Sequence, residues 1–214
     1  MKRMQRTLLS TAMVIASAAS AFTQAPPPAQ GAPPAAGRGA APRLVLSVTS
    51  TGWADGAEVP MRHAGRGENM SPAFEFHWSL GPTPAPAPET LQTYAVIFHD
   101  IENSTNKGTA DTLHWSAFNI PGTAKGLPEG LGPGDLPDGT RNGPGIMARG
   151  GSPGRYFGPG AGPGPFHHYV FEFYALDTKL ELPATASRDD LLKAMEGHVI
   201  GKAAYTGRFH ANPQ

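Results

Sequence analysis

The chain contains no cysteine, which excludes disulfide frameworks, thiolate metal sites and cysteine nucleophiles, whatever compartment the protein occupies. A folded domain here must stand on its core alone. Long helix-forming stretches are also missing, because 27 Gly and 23 Pro among 214 residues interrupt regular structure too often for a helical bundle. No apolar run reaches the roughly 20 residues needed to span a bilayer, which rules out a transmembrane protein. Positive charge is scarce in the body of the chain. The whole sequence is neutral, but Lys2, Arg3, Arg6, Arg38 and Arg43 precede residue 44 and leave 12 basic against 17 acidic residues after it. A nucleic-acid partner would require the opposite sign and a basic stripe, so no nucleic acid is expected. All eight histidines lie in that acidic body.

The displaced positive charge has a reading of its own. Lys2, Arg3 and Arg6 form a basic n-region, Leu8 to Ala19 is an uncharged apolar and small-residue stretch, and Ala19-Ser20-Ala21 is an A-x-A cleavage signal. Residues 1–21 therefore read as a signal peptide and the mature protein as periplasmic or secreted, an uncleaved N-terminal anchor being the alternative. Residues 22–43 are rich in Ala, Pro and Gly, with no apolar face to bury, and are expected to be a disordered linker. The folded domain is then 44–214, long enough for one ordinary core.

Within that domain the periodicity is mostly two. Leu44 to Ser50 alternates Leu44, Leu46 and Val48 with smaller or polar neighbours, and Phe74, Phe76 and Trp78 alternate with Glu75 and His77. Leu91 to His99 and Leu113 to Ile120 are more continuously apolar, Tyr169, Phe171 and Phe173 alternate with His168, Val170, Glu172 and Tyr174, and all three segments read as interior strands of a sheet. The Pro/Gly loops Gly81 to Pro88 and Gly122 to Gly164 are too broken for crossover helices, so antiparallel pairing follows. One helix is signalled near 187–197: Ser187 caps it, Asp190 completes a capping box, Leu191, Leu192 and Met195 form an apolar stripe, and Gly197 ends it. His198 to Phe209 reads as a terminal strand, weakened by Gly201 and Gly207. The fold class is all-β with a minor helix, an antiparallel β-sandwich.

Gly150-Gly151-Ser152-Pro153-Gly154 satisfies the serine-hydrolase pattern G-x-S-x-G but fails on mechanism, because Pro153 lacks the N–H that the residue after the nucleophile must give to the oxyanion. The alternating run Gly158, Gly160, Gly162, Gly164 is a flexible loop or a small backbone nest for an anion, and His167, His168 and Tyr169 open a strand directly after it. His99, Asp100, His114, His167 and His168 all fall at strand ends, where they could make a zinc site, an anion pocket or a polar core cluster. No metal-ligand spacing is present, so neither metal nor cofactor is expected. His167 and Tyr169, two apart, share one strand face, and His168 takes the other.

Taken together, four motifs in order resemble the phosphatidylethanolamine-binding protein (PEBP) family, in particular its bacterial Raf kinase inhibitor-like branch. They are Glu68-Asn69-Met70-Ser71-Pro72 leading to Trp78, Phe98-His99-Asp100-Ile101-Glu102, His114-Trp115 followed by Asn119-Ile120-Pro121, and Tyr156-Phe157-Gly158-Pro159 leading to His167-His168-Tyr169. The resemblance implies an antiparallel β-sandwich with a small anion-binding cavity at one end. Asp100 would be the first acid of the family's D-P-D-x-P motif, His114 its cavity histidine, Gly160 the glycine offering a backbone N–H, and His167 and Tyr169 the H-x-Y pair. The chain departs from the family where D-P-D-A-P is Asp100-Ile101-Glu102-Asn103-Ser104 and where G-P-x-P-P is Gly158-Pro159-Gly160-Ala161-Gly162, which loosens the rim.

The expected ligand is a small anion or phosphate-bearing head group accepting hydrogen bonds from His114, His167, Tyr169 and loop N–H groups, with affinity rising as pH falls from about 8 toward 6. Asp100 would orient a histidine or meet an ammonium. The absence of a strong nucleophile with its own base favours binding over catalysis, with inhibition or scaffolding of another protein as a further role and a monomer or weak dimer as the assembly. The alternative is a metal-assisted or cofactor-free hydrolase using His99, His114 and His167. Because residues 1–43 carry no periodic apolar face, their removal is expected to leave the thermal unfolding of the domain unchanged, a scan of the full-length and shortened chains being the check.

Overall fold

The computed structural model describes residues 43–105, 109–146 and 154–211. The proposed signal peptide, nearly all of the linker and Gly150 to Pro153 of the G-x-S-x-G pattern lie outside the described residues. Strand β1 (Leu44–Ser50) pairs antiparallel along its whole length with β2 (Phe74–Leu80), from Leu44 opposite Leu80 to Ser50 opposite Phe74. The other edge of β2 is shared by two short strands, β3 (Thr83–Pro84) and β6 (Gly126–Leu127). A second sheet runs in the order β7 (Arg141–Asn142), β5 (Ala110–Pro121), β4 (Thr93–Thr105), β8 (His167–Leu176), β9 (Val199–Phe209), again antiparallel throughout. The three strands expected inside a sheet are β4, β5 and β8, and all three are interior. The short strands β3, β6 and β7 fall in segments read from sequence as loops, because two-residue strands have no periodicity to detect.

Alternation puts the core between the sheets. Leu46, Val48, Phe74, Phe76 and Trp78 of the first sheet meet Tyr94, Val96, Phe98, Phe171 and Phe173 of the second, and the rings interlock edge to face, with Phe74 and Phe173 centroids 4.9 Å apart. The two glycines of β9 are demanded by this aromatic packing. A Cβ on Gly201 would lie 2.6 Å from the Trp78 ring, and one on Gly207 would lie 2.4 Å from Val59.

The opposite face of the second sheet carries Ala95, Ile97, Phe118 and Tyr174, and helix α1 (Arg188–Met195) covers it with Leu191 and Met195. Its capping box forms as expected: Ser187 Oγ accepts from the Asp190 N–H and the Asp190 carboxylate accepts from the Ser187 N–H. Leu192, counted in the apolar stripe, is exposed instead, since its position is turned about 100° from Leu191. Among the described residues no helix is long and apolar enough to cross a membrane.

Of the three register irregularities between β4 and β5, two shape the molecule. Tyr94 pairs with Ile120 and Val96 with Ala117, so Ala95 faces two residues, one of them Asn119 at φ 56°. Its amide receives the Leu180 N–H at 2.8 Å and donates to the Leu180 carbonyl at 2.9 Å, tying the bulge to the segment that leads into α1. The second bulge brings Trp115 opposite Phe98 and Leu113 opposite His99, leaving His114 as the extra residue. Asn119→Ala would strand both Leu180 groups in a buried site and place a residue without Asn's tolerance at positive φ. A loss of about 2–4 kcal/mol is expected in denaturant unfolding, with Asn119→Gly recovering only the backbone part.

Candidate functional site

The second bulge is what turns a histidine into the sandwich. With His114 inserted, both it and Trp115 face the inter-sheet side: the Trp115 indole donates to Asn142 Oδ1 at 2.8 Å, and the His114 ring lies edge-on to Phe98 and Tyr169. His114 Nδ1 is 2.9 Å from the Phe157 carbonyl, which can only accept, so Nδ1 carries the proton. The remaining nitrogen, Nε2, is buried and has no partner among the described residues. Burial pushes the His114 pKa below its ordinary value, opposed by the Phe157 carbonyl and by Asp100.

Asp100 follows two residues after Phe98 on the same face of β4, opposite Tyr169 of β8. Although only 2% exposed, its carboxylate is well supplied with donors: the N–H groups of Glu102 and Asn103 at 3.1 and 3.0 Å, and His167 Nδ1 at 2.9 Å. The Ile101-Glu102-Asn103 departure from the family motif thus still folds back on its first acid. Tyr169 is also buried, and its hydroxyl oxygen accepts from the N–H groups of Gly160 and Ala161 at 3.2 and 3.1 Å. Burial first, and then Asp100, hold its pKa well above that of a free tyrosine.

The glycine-rich loop is held down by His63, by Gly65 and by Asn69 of the Glu68–Pro72 motif. Asn69, at φ 57°, accepts the Gly158 N–H at 2.8 Å, the Tyr156 hydroxyl donates to the His63 carbonyl at 2.7 Å, and the Gly65 N–H donates to the Pro159 carbonyl at 2.8 Å. The backbones approach so closely that a Cβ on Gly158 would stand 1.9 Å from the His63 oxygen. Farther along, exposed Arg66 donates from Nε to the Gly160 carbonyl at 3.2 Å.

Between these parts lies a cavity of about 380 Å³ whose lining includes Asp100, His114 and Tyr169 at its base, with Gly160, Phe157 and Arg66 toward its mouth. Four of the five expected site residues, Asp100, His114, Gly160 and Tyr169, are brought together there. His167 sits behind Asp100 with its Nδ1 on the carboxylate. His168 is exposed on the other strand face and pairs with Glu102 at 2.6 Å. The N–H of Gly160, expected to serve a ligand, is donated to Tyr169. Arg66, Asn103 and Phe157 also line the cavity; Asn103 and Phe157 fall inside the compared motifs without being read as site residues, and Arg66 lies in a segment distant in the chain that carries no spacing signal.

His99 does not join this group. It faces the helix side of the sheet, with Nδ1 2.6 Å from Asp111 and Nε2 3.7 Å from Glu172, so the three histidines of the hydrolase alternative do not converge. Asp100, Glu102 and His167 bring one potential metal-ligating atom each within 4.8 Å of one another. All three are already engaged, Asp100 by three donors and Glu102 by the His168 ring and amide.

A sandwich of two antiparallel sheets with a small cavity at one end defines a ligand-binding fold. The model of the phosphatidylethanolamine-binding protein family matches residues 49–210, and the chain belongs to that family. A UPF0098 protein of Methanothermobacter thermautotrophicus is 36% identical over 165 residues, spanning 77% of this chain and 98% of the relative. The UPF0098 protein PH1269 of Pyrococcus horikoshii is 31% identical over 170 residues, 78% of this chain and 77% of its own. Among solved structures, E. coli YbcL, described as a member of the mammalian PEBP family, superposes with a TM-score of 0.61 at 26% identity, covering 78% of this chain and 99% of YbcL.

Gly158→Ala is expected to lift the loop from His63, breaking the Asn69 contact and moving the carbonyl that fixes His114. The cost should be about 2–3 kcal/mol in denaturant unfolding, accompanied by a change in the His114 ring resonances.

Proposed function

We propose that this chain is an exported binding protein that takes a small ligand bearing a phosphate or carboxylate group into the cavity above Asp100, His114 and Tyr169. The observation that carries the reading is His114 Nε2: buried, without a protein partner among the described residues, in a ring that lines a cavity. On protonation this nitrogen becomes a donor and gives an oxyanion a charge-assisted hydrogen bond. The Asp100 charge is already met by two N–H groups and His167, which lessens its repulsion of an anion and makes His167 a positioning residue. The export reading rests on the basic start, apolar stretch and A-x-A signal of the first 21 residues.

Binding rather than catalysis is favoured by the described lining. It contains no serine, threonine, lysine or cysteine, its tyrosine is held protonated, and its histidine spends Nδ1 on a carbonyl.

The sign of the pH dependence follows from the depressed His114 pKa. In the free protein the ring is neutral near pH 7, and an anion that requires imidazolium raises its pKa on binding, so protons are taken up and affinity increases as pH falls. Calorimetric titration with phosphorylethanolamine and with inorganic phosphate is expected to show binding that strengthens from pH 8 to 6. Gly160→Leu should weaken it about tenfold or more, since a side chain there occupies the mouth. A Cβ at Gly160 would meet nothing nearer than the Phe157 ring at 3.9 Å, so the unfolding midpoint should stay put. Wild-type protein that binds neither compound would overturn the reading.

A further inference from the structure

The described cavity residues include two full charges, and they stand at opposite ends. Asp100 is buried at the base and neutralised by its donors; Arg66 is exposed at the mouth. Arg66 is also free in a way its neighbour is not. Arg62 is tied between Glu129 and Glu68, the latter at 3.0 Å, whereas no carboxylate among the described residues lies within 4.0 Å of the Arg66 guanidinium. Its one recorded bond is neutral, from Nε to the Gly160 carbonyl, which leaves both terminal nitrogens for another acceptor and fixes the group beside the glycine-rich loop. In a domain with more acidic than basic residues, an unpaired arginine at a cavity mouth is a local reversal of sign.

We propose that Arg66 sets the specificity of the cavity by reading the end of the ligand that projects from it, selecting phosphate compounds with an anionic tail and rejecting those with a cationic one. The inference rests on the reading of the cavity as the site of an anionic head group. With that group at the base beside His114, the rest of a small ligand leaves past Gly160 and meets the guanidinium. A carboxylate there forms a bidentate, charge-assisted pair, while an ammonium meets a like charge. The preferred class is therefore a phosphomonoester carrying a carboxylate, and an amino-alcohol phosphate is the disfavoured one. Exposure of Arg66 makes the effect moderate and dependent on salt.

The test compares phosphoglycolate with phosphorylethanolamine by calorimetry on wild type, Arg66→Gln, Arg66→Glu and Arg62→Gln at low salt. Wild type is expected to prefer phosphoglycolate by about tenfold, Arg66→Gln to remove most of that preference, Arg66→Glu to invert it, and Arg62→Gln to keep it. The preference should shrink in about 0.5 M salt. Equal affinities of wild type for the two compounds, or a preference that survives Arg66→Glu, would overturn the inference while leaving the anion-binding reading intact. Failure of wild type to bind either of the two compounds at all, phosphoglycolate included, would remove both readings, whereas loss of phosphorylethanolamine binding alone supports the inference. Unchanged unfolding midpoints for the Arg66 variants show that the comparison is made on folded protein.

Discussion

The hydrogen bond from the His114 ring to the Phe157 carbonyl joins the two halves of the site. On one side is a bulged strand, β5, whose extra residue is His114; on the other is a loop with no regular structure, pinned by Asn69 and by the close approach of Gly158 to His63. A loop of Pro and Gly has little intrinsic order and many conformations to lose. It is ordered here because its polar groups are satisfied by the Asn69, His114 and Tyr169 side chains and by the Gly65 N–H, so the backbone that forms the cavity wall is fixed by side chains from three other parts of the chain.

The two faces of β4 explain why neighbouring polar residues have unrelated roles. Tyr94, Val96, Phe98 and then Asp100 face the inter-sheet core, and the alternation delivers Asp100 to the cavity at the point where the core ends. Ala95, Ile97 and then His99 face α1. There the polar residues form a network in which Arg188 bridges toward Asp111 and Glu172, and Lys202 pairs with Glu172 at 2.9 Å. Burial alone would raise the Glu172 pKa, but Lys202, Tyr174 and His99 together hold it below its ordinary value. The network anchors the helix to the sheet. His99 therefore belongs to the architecture and His114 to the cavity; both were expected at strand ends, and both lie within their strands instead, because β4 and β5 run on past the apolar segments that mark them in the sequence.

Departures from the family motifs cost less order than their composition suggests. The loss of both prolines after Asp100 removes rigidity from the turn, yet the carboxylate gathers the Glu102 and Asn103 N–H groups and rebuilds it by hydrogen bonding. Replacement of prolines by Ala161 and Gly162 leaves the mouth open, since a Cβ at Gly160 or Gly162 would meet almost nothing, and it is beside this open mouth that Arg66 lies.

By itself the sequence determined the sandwich. Period-two alternation in β1, β2 and β8, continuous apolar runs in β4 and β5, and the capping box of α1 are local signals that report local structure, and these elements appeared where they were expected, β4 alone running six residues past His99 to Thr105 where its apolar run has ended. It also determined which face of β8 carries His167 and Tyr169, because alternation fixes that without a partner strand. The tertiary structure alone decided what those residues touch. Which imidazole nitrogen of His114 bears a proton, that the Gly160 N–H serves Tyr169, that His167 stands behind Asp100, and that Arg66 reaches the mouth all depend on bulges, loop docking and contacts between segments far apart in the chain. Such pairings leave no periodicity and no spacing in the sequence, since they arise from where two backbones meet in space.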